Sequence, residues 1–164
     1  MGFSPGPFAS MVELMPLAVP QELRTYFITT VTANRRRLFQ VEERAQLLVD
    51  TLKHYRDQGR FELHAFAVMP DHLHVLLTPA PEVSLEKAVQ YIKGGFSFRL
   101  KSKLDVWSRS FNEAQIRTYD KFAACRTYIE ANPVRANLCT SPERYPFSSA
   151  SIPEILDGCP RHLA

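Results

Sequence analysis

Two hydrophobic periods alternate along this chain, one of two residues and one of three to four. The stretch RTYFITTVTA (24–33) is rich in Thr, Val, Ile and aromatic residues, which predicts a β-strand. Between 42 and 58 the apolar side chains fall at Ala45, Leu48, Leu52 and Tyr55, a helical stripe, and Gly59 stands where such a helix can end. FELHAFAVM (61–69) and HLHVLLT (72–78) predict two further strands, joined by a tight turn at Pro70-Asp71. Ser84 is placed to cap a helix whose stripe is Leu85, Ala88, Val89, Ile92 and Phe96. Gly94-Gly95 weakens that helix mid-course, for no reason visible in the sequence. A short strand is expected within VWSRSFNEAQI (106–116), then a last helix from Asp120 to about Ala131, stopped by Pro133. The order strand, helix, hairpin, helix, strand, helix predicts an α+β fold, a ferredoxin-like (RRM-like) antiparallel sheet with helices packed on it.

Composition narrows the class. The chain has 164 residues, 45% hydrophobic and 23% charged, which suits one globular domain with a sizeable core and excludes a disordered or fibrous protein. No internal repeat or low-complexity block is present. No apolar run approaches the roughly 18 residues of a membrane span. The opening MGFSPGPFASMVELMPLAVP lacks a basic region and is cut by prolines, unlike a signal peptide. We therefore expect a cytoplasmic protein without a membrane partner: a loosely ordered arm at 1–20, a domain at 21–150 and a tail at 151–164. Cys125, Cys139 and Cys159 have no CxxC spacing and cannot all pair, so neither a zinc knuckle nor a disulfide framework is supported. The net charge is only +3, but cations cluster at Arg35-Arg36-Arg37 and again at Lys93, Arg99, Lys101 and Lys103. Such clusters are either solvated faces or contacts to a polyanion.

Two histidines interrupt the apolar run AVMPDHLHVLLTP (67–79). Strand side chains alternate, so His72 and His74 share one face with Cα atoms about 6.6 Å apart, while Leu73, Val75 and Leu77 face a core on the other side. Two imidazoles at that spacing can converge on one divalent ion, yet two ligands are too few for a stable site. They are either a half-exposed polar pair or part of a site completed elsewhere. CRTYIEANPVRANL (125–138) offers a completion. On a helix Tyr128 and Asn132 lie on one face, about 6 Å apart along the axis, while Phe122, Cys125 and Ile129 form an adjacent stripe that can pack on the sheet. Taken alone, that segment also reads as an ordinary packed tyrosine followed by an Asn-Pro helix stop.

Together the two segments are far more specific. His-Leu-His on an inner strand, followed by a helix with Tyr-x-x-x-Asn-Pro, resembles the single-tyrosine HUH nucleases, and most narrowly the IS200-type transposases and their REP-associated relatives. TYFITTVTANRRRLF, FAVMPDHLHVLLTP, YIKGGFSFRL, FNEAQIRTYDKFAACRTYIEANPVRANL and RYPFSSA resemble family elements in family order, over about residues 24–150.

The resemblance implies an HUH endonuclease fold and cleavage and rejoining of single-stranded DNA next to hairpins. Tyr128 would be the nucleophile, leaving a 5′-phosphotyrosine and a free 3′-OH. The covalent link preserves the bond energy, so rejoining needs no ATP. His72 and His74 would hold the metal, with Asn132 at the position of a third, amide-oxygen ligand. Mg²⁺ or Mn²⁺ is implied, the imidazoles favouring Mn²⁺. A free phenol has a pKa near ~10, so some deprotonating influence is needed, and the sequence identifies no base. Arg35, Arg36, Lys93, Arg99, Arg117, Arg126 and Arg135 are candidate DNA contacts, and Trp107 and Phe111 candidate stacking residues, each also readable as surface charge or core packing. Asp71 could orient an imidazole or simply occupy the turn; His64 could face the histidine pair. A monomer is expected over a dimer that swaps the tyrosine helix. The rivals are a nucleic-acid-binding module that does not cut, a metal-dependent nuclease using water, and a replication initiator or relaxase of the HUH class.

Overall fold

The computed structural model describes residues 22–164; the arm expected at 1–20 lies outside the described residues. Four strands form where side-chain alternation predicts them: β1 (Thr25–Val31), β2 (Phe61–Met69), β3 (His72–Pro79) and β4 (Asn112–Ile116). They make one sheet in the order β2-β3-β1-β4, every neighbouring pair antiparallel. The helices are α1 (Glu42–Asp57), α2 (Leu85–Leu100) and α3 (Tyr119–Arg135). This is the ferredoxin-like arrangement that the element order predicts. The strand expected within 106–116 is shorter: β4 takes its last five residues, and Trp107 forms only an isolated bridge with Thr32.

Two cores sandwich the sheet. On one face Ile28, Leu73, Val75 and Leu77 meet α1 and α2 through Leu48, Leu52, Ala88, Ile92 and Phe96. On the other, α3 lays Phe122, Cys125 and Ile129 against Ala65, Ala67, Met69 and Leu76. α3 contacts β2 most and β3 less. The β1–β4 half of that second face is thus left open, and Asn112 and Ala114, paired there with Thr29 and Phe27, are exposed. A bulge in β2 between Leu63 and Ala65 makes His64 the extra residue, so Leu63 and Phe66 fall on the same face.

Local signals place the helix ends. Gly59, at φ +73°, closes α1, and Ser84 Oγ accepts from Lys87 N at 3.1 Å. Thr118 does the same for α3 with Lys121 N at 3.2 Å. Gly95 admits the Tyr55 ring onto the α2 backbone: a Cβ there would lie 2.5 Å from Tyr55 Cε2.

The expected stop at Pro133 does not occur. A proline removes only its own N–H, and the carbonyls of Asn132 and Pro133 still accept from Ala136 and Leu138. Packing of the buried Pro133 ring carries the helix on to Arg135, and left-handed Asn137, at φ 59°, ends it.

The C-terminal segment runs along the outer edge of β2. Val68 N donates to Phe147 O, Ser149 N to Phe66 O and Asp157 N to Leu63 O. Asp157 is gripped by Arg56 through two hydrogen bonds, and Leu163 is buried. The edge strand is thereby covered. Among the described residues no helix is long and apolar enough to cross a membrane.

Candidate active site

His72 and His74 share a face at the start of β3, as the alternation requires. Their Nε2 atoms stand 3.2 Å apart. Each ring is oriented from its other nitrogen: His72 Nδ1 lies 2.7 Å from Asp71 Oδ1, and His74 Nδ1 lies 2.8 Å from Thr29 Oγ1. A carboxylate only accepts, so His72 Nδ1 carries the proton and Nε2 is left with its lone pair. Asp71 is therefore an orienting residue and not only part of the turn. Burial pushes its carboxyl up, but the hydrogen bond and charge of His72, together with Arg35, hold it below the ordinary value. Burial, then His72 and Arg135, push the His74 pKa down to about 4, leaving it neutral at neutral pH.

Tyr128 stands beside the pair on the same chain. Its ring is 6.3 Å from that of His74 and 5.9 Å from Phe27, and it is 45% exposed. The continued turn of α3 brings Arg135 onto the same face, three residues after Asn132 and seven after Tyr128. Its guanidinium lies 4.2 Å from the Tyr128 ring centroid and donates to Asn132 Oδ1 at 3.1 Å. Asn132 Nδ2 is buried without a partner.

These residues fit a divalent cation. His72 Nε2 offers a lone pair, and His74 Nε2, 3.2 Å away, offers a second whenever its Nδ1–H donates to Thr29 Oγ1, so the two nitrogens can face one cation. Bonds of about 2.1 Å from both nitrogens would subtend roughly 100°. Oriented Nδ1 atoms are the usual support of metal-binding imidazoles. Among the described residues no group of three or more His, Cys, Asp and Glu gathers to hold a metal.

Residues 21–132 match the family described as transposase, IS200-like. The chain belongs to that family. Among curated IS200-like relatives, the REP-associated tyrosine transposase of Escherichia coli (strain K12) is 29% identical over 126 residues, 76% of this chain and 75% of that one. The ISDra2 transposase TnpA of Deinococcus radiodurans is 32% identical over 97 residues, 48% of this chain and 69% of that one. A solved REP-associated tyrosine transposase bound to a REP hairpin superposes with a TM-score of 0.69 at 24% identity, covering 86% of this chain and 88% of that one, a likeness of fold.

The other candidate residues of this IS200-like chain scatter. Arg35 reaches Asp71 Oδ2 at 3.5 Å and so adjoins the histidines. Arg36 is turned to the carbonyls of Ala33 and Asp105. Lys93 donates to Ser108 O, and Arg99, over the Tyr55 ring, lies across the sheet from the histidines. Arg126 pairs with Glu130, and Arg117 is exposed at the approach to α3. Trp107 packs on Phe39 and Phe96. His64 does not face the pair: the bulge turns it to Thr78, Asp157 and Phe122. Sequence reasoning missed Thr29 and Phe27, because only the register of β1 against β3, Thr29 opposite His74, reveals them.

Proposed function

We propose that this chain cleaves and rejoins single-stranded DNA beside a hairpin through a covalent 5′-phosphotyrosine at Tyr128, with Mg²⁺ or Mn²⁺ held by His72, His74 and Asn132. The observation that carries the proposal is the convergence of two imidazole Nε2 atoms at 3.2 Å on the face where the same chain exposes Tyr128. The hairpin comes from the relatives, one of which was solved bound to a REP hairpin. The tyrosine helix packs on its own sheet, which supports a monomer acting in cis.

In this reading the Tyr128 oxygen forms a bond to phosphorus as the bond to the 3′ oxygen breaks; the phenol gives up a proton and the 3′ oxygen gains one. When bound, the cation supplies positive charge that neutralises the non-bridging oxygens of the phosphate. Asp71 and Thr29 hold the imidazoles in place, and Arg135 sets a guanidinium beside the nucleophile, where it can take a phosphate oxygen. Rejoining reverses the first step at another 3′-OH.

The test is covalent trapping. The protein, Mn²⁺ and labelled single-stranded hairpins are incubated and run in SDS beside Tyr128→Phe and His72→Ala. An SDS-stable labelled band, lost in both variants, is expected. Cleavage that persists in Tyr128→Phe would sink the tyrosine mechanism in favour of a water-using nuclease. Hairpin binding without any cutting would instead leave a binding module.

A further inference from the structure

The half of the catalytic face that α3 leaves uncovered leads outward from the histidines. Strand register places Ala67, His74, Thr29 and Asn112 in one row across β2, β3, β1 and β4. Directly paired residues share a face, so Asn112 lies on the histidine side, two strands or roughly 10 Å from His74. At the end of that row a cleft of about 310 Å³ opens, lined by Thr29, Asn34, Arg35, Ser110, Phe111 and Asn112. Two of its walls are tied to the imidazoles. Thr29 bonds His74 Nδ1, and Arg35 meets the Asp71 carboxylate whose other oxygen bonds His72.

The lining names a ligand class. Asn34 and Asn112 make no side-chain hydrogen bond among the described residues, so both amides are free to donate and accept. Amides of this kind read the edges of bases, and a single arginine suits one phosphate, while the Phe111 ring is turned to the α2 side of the sheet. A purely anionic ligand would call for several cations, and a metal for carboxylates. The turn that presents Asn34 and Arg35 holds both in the left-handed region, at φ 57° and 50°. Asparagine tolerates that conformation; arginine does so rarely, and such strain clusters at working sites.

We propose that this cleft binds an unpaired nucleobase of the single-stranded DNA flanking the scissile phosphate, with the amides of Asn34 and Asn112 on its hydrogen-bonding edge and Arg35 beside its phosphate. The inference rests on the site being one that cuts DNA, and it adds where base selectivity resides.

The experiment separates the two. Hairpins with a randomised single-stranded flank are selected for binding to Tyr128→Phe, which keeps the fold, and to Tyr128→Phe carrying Asn34→Gly and Asn112→Ala. Glycine retains the positive φ, and Asn112 is an exposed edge residue, so the sheet should survive both changes. One flank position should be enriched for one base about tenfold, and the enrichment should vanish in the multiple variant. As a check on the DNA side, an abasic nucleotide at that position should weaken Tyr128→Phe binding by a similar factor and leave the multiple variant unaffected. Equal enrichment in both proteins, or none at any position, would overturn the cleft. Retained enrichment with no covalent adduct from the wild-type chain would overturn the cleavage reading and support the cleft.

Discussion

The Arg135 guanidinium lies 4.2 Å from the ring centroid of Tyr128, and the same group donates to Asn132 Oδ1. One cation thus touches both residues of the helical half of the site. A cation over an aromatic face contributes about 0.5–1 kcal/mol when exposed and more when desolvated. Arg135→Ala removes it and frees the amide oxygen. Adduct formation should slow by roughly tenfold, while Mn²⁺, no longer facing a neighbouring positive charge, should bind several-fold tighter by calorimetry. Arg135→Lys restores the charge but not the planar fork and should fall between. An unchanged rate in the alanine variant would remove Arg135 from the chemistry.

Asp71 supports the site from behind. Its carboxylate fixes which nitrogen of His72 carries the proton, and Asp71→Asn keeps a polar group there without the charge. Loss of such a partner typically weakens metal binding by about 10- to 100-fold. Calorimetric titration with Mn²⁺ should show that loss with an unchanged melting temperature. Equal affinity would reduce Asp71 to a turn residue.

How much of this was legible beforehand depends on range in sequence. The strand pair around Pro70-Asp71 and the stripes of α1 and α2 are local patterns, and they fall where the periods put them. The shared face of His72 and His74 follows from alternation alone. Thr29 as the partner of His74 does not, because it needs the register of strands 45 residues apart. The path of α3 beyond Pro133 was hidden for a similar reason: local propensity argues for a stop, and tertiary burial of the ring overrides it. That override brought Arg135 to the tyrosine. The bulge at His64 likewise depends on packing on both sides of β2.

The glycine pair of α2 yields opposite expectations from adjacent positions. At Gly95 a Cβ would meet the Tyr55 ring, which is stacked on Tyr91 at 5.1 Å and so resists moving. Gly95→Ala should destabilise by about 1–3 kcal/mol. At Gly94 the space is open, so Gly94→Ala should stabilise by roughly 0.5–1 kcal/mol through helix propensity. Urea denaturation midpoints that shift the same way for both would contradict the assigned contact.

His64 makes stability depend on pH. Its Nδ1 faces the Asp157 carbonyl, which only accepts, so Nδ1 donates and Nε2 accepts from Thr78. Thr25 then donates to Thr78, and His162 Nε2 donates to Thr25. The whole row is satisfied with a neutral His64. Burial pushes the His64 pKa below its ordinary 6.5, and it outweighs the favourable carbonyl and charge of Asp157. Above 6.5 both folded and unfolded chains hold the group neutral, and it has no effect. As pH falls through 6.5 the unfolded chain takes up a proton that the folded one refuses. Stability then drops by up to about 1.4 kcal/mol per pH unit until the lower folded pKa is reached. His162 and His74, also pushed down, add slopes of the same sign. Asp71 and Asp157, held below the ordinary carboxylate range, act only at lower pH. Urea unfolding between pH 7.5 and 5.5 should therefore show a smaller loss for His64→Gln than for the wild-type chain. Parallel curves for the two proteins would mean that His64 takes up its proton equally in both states.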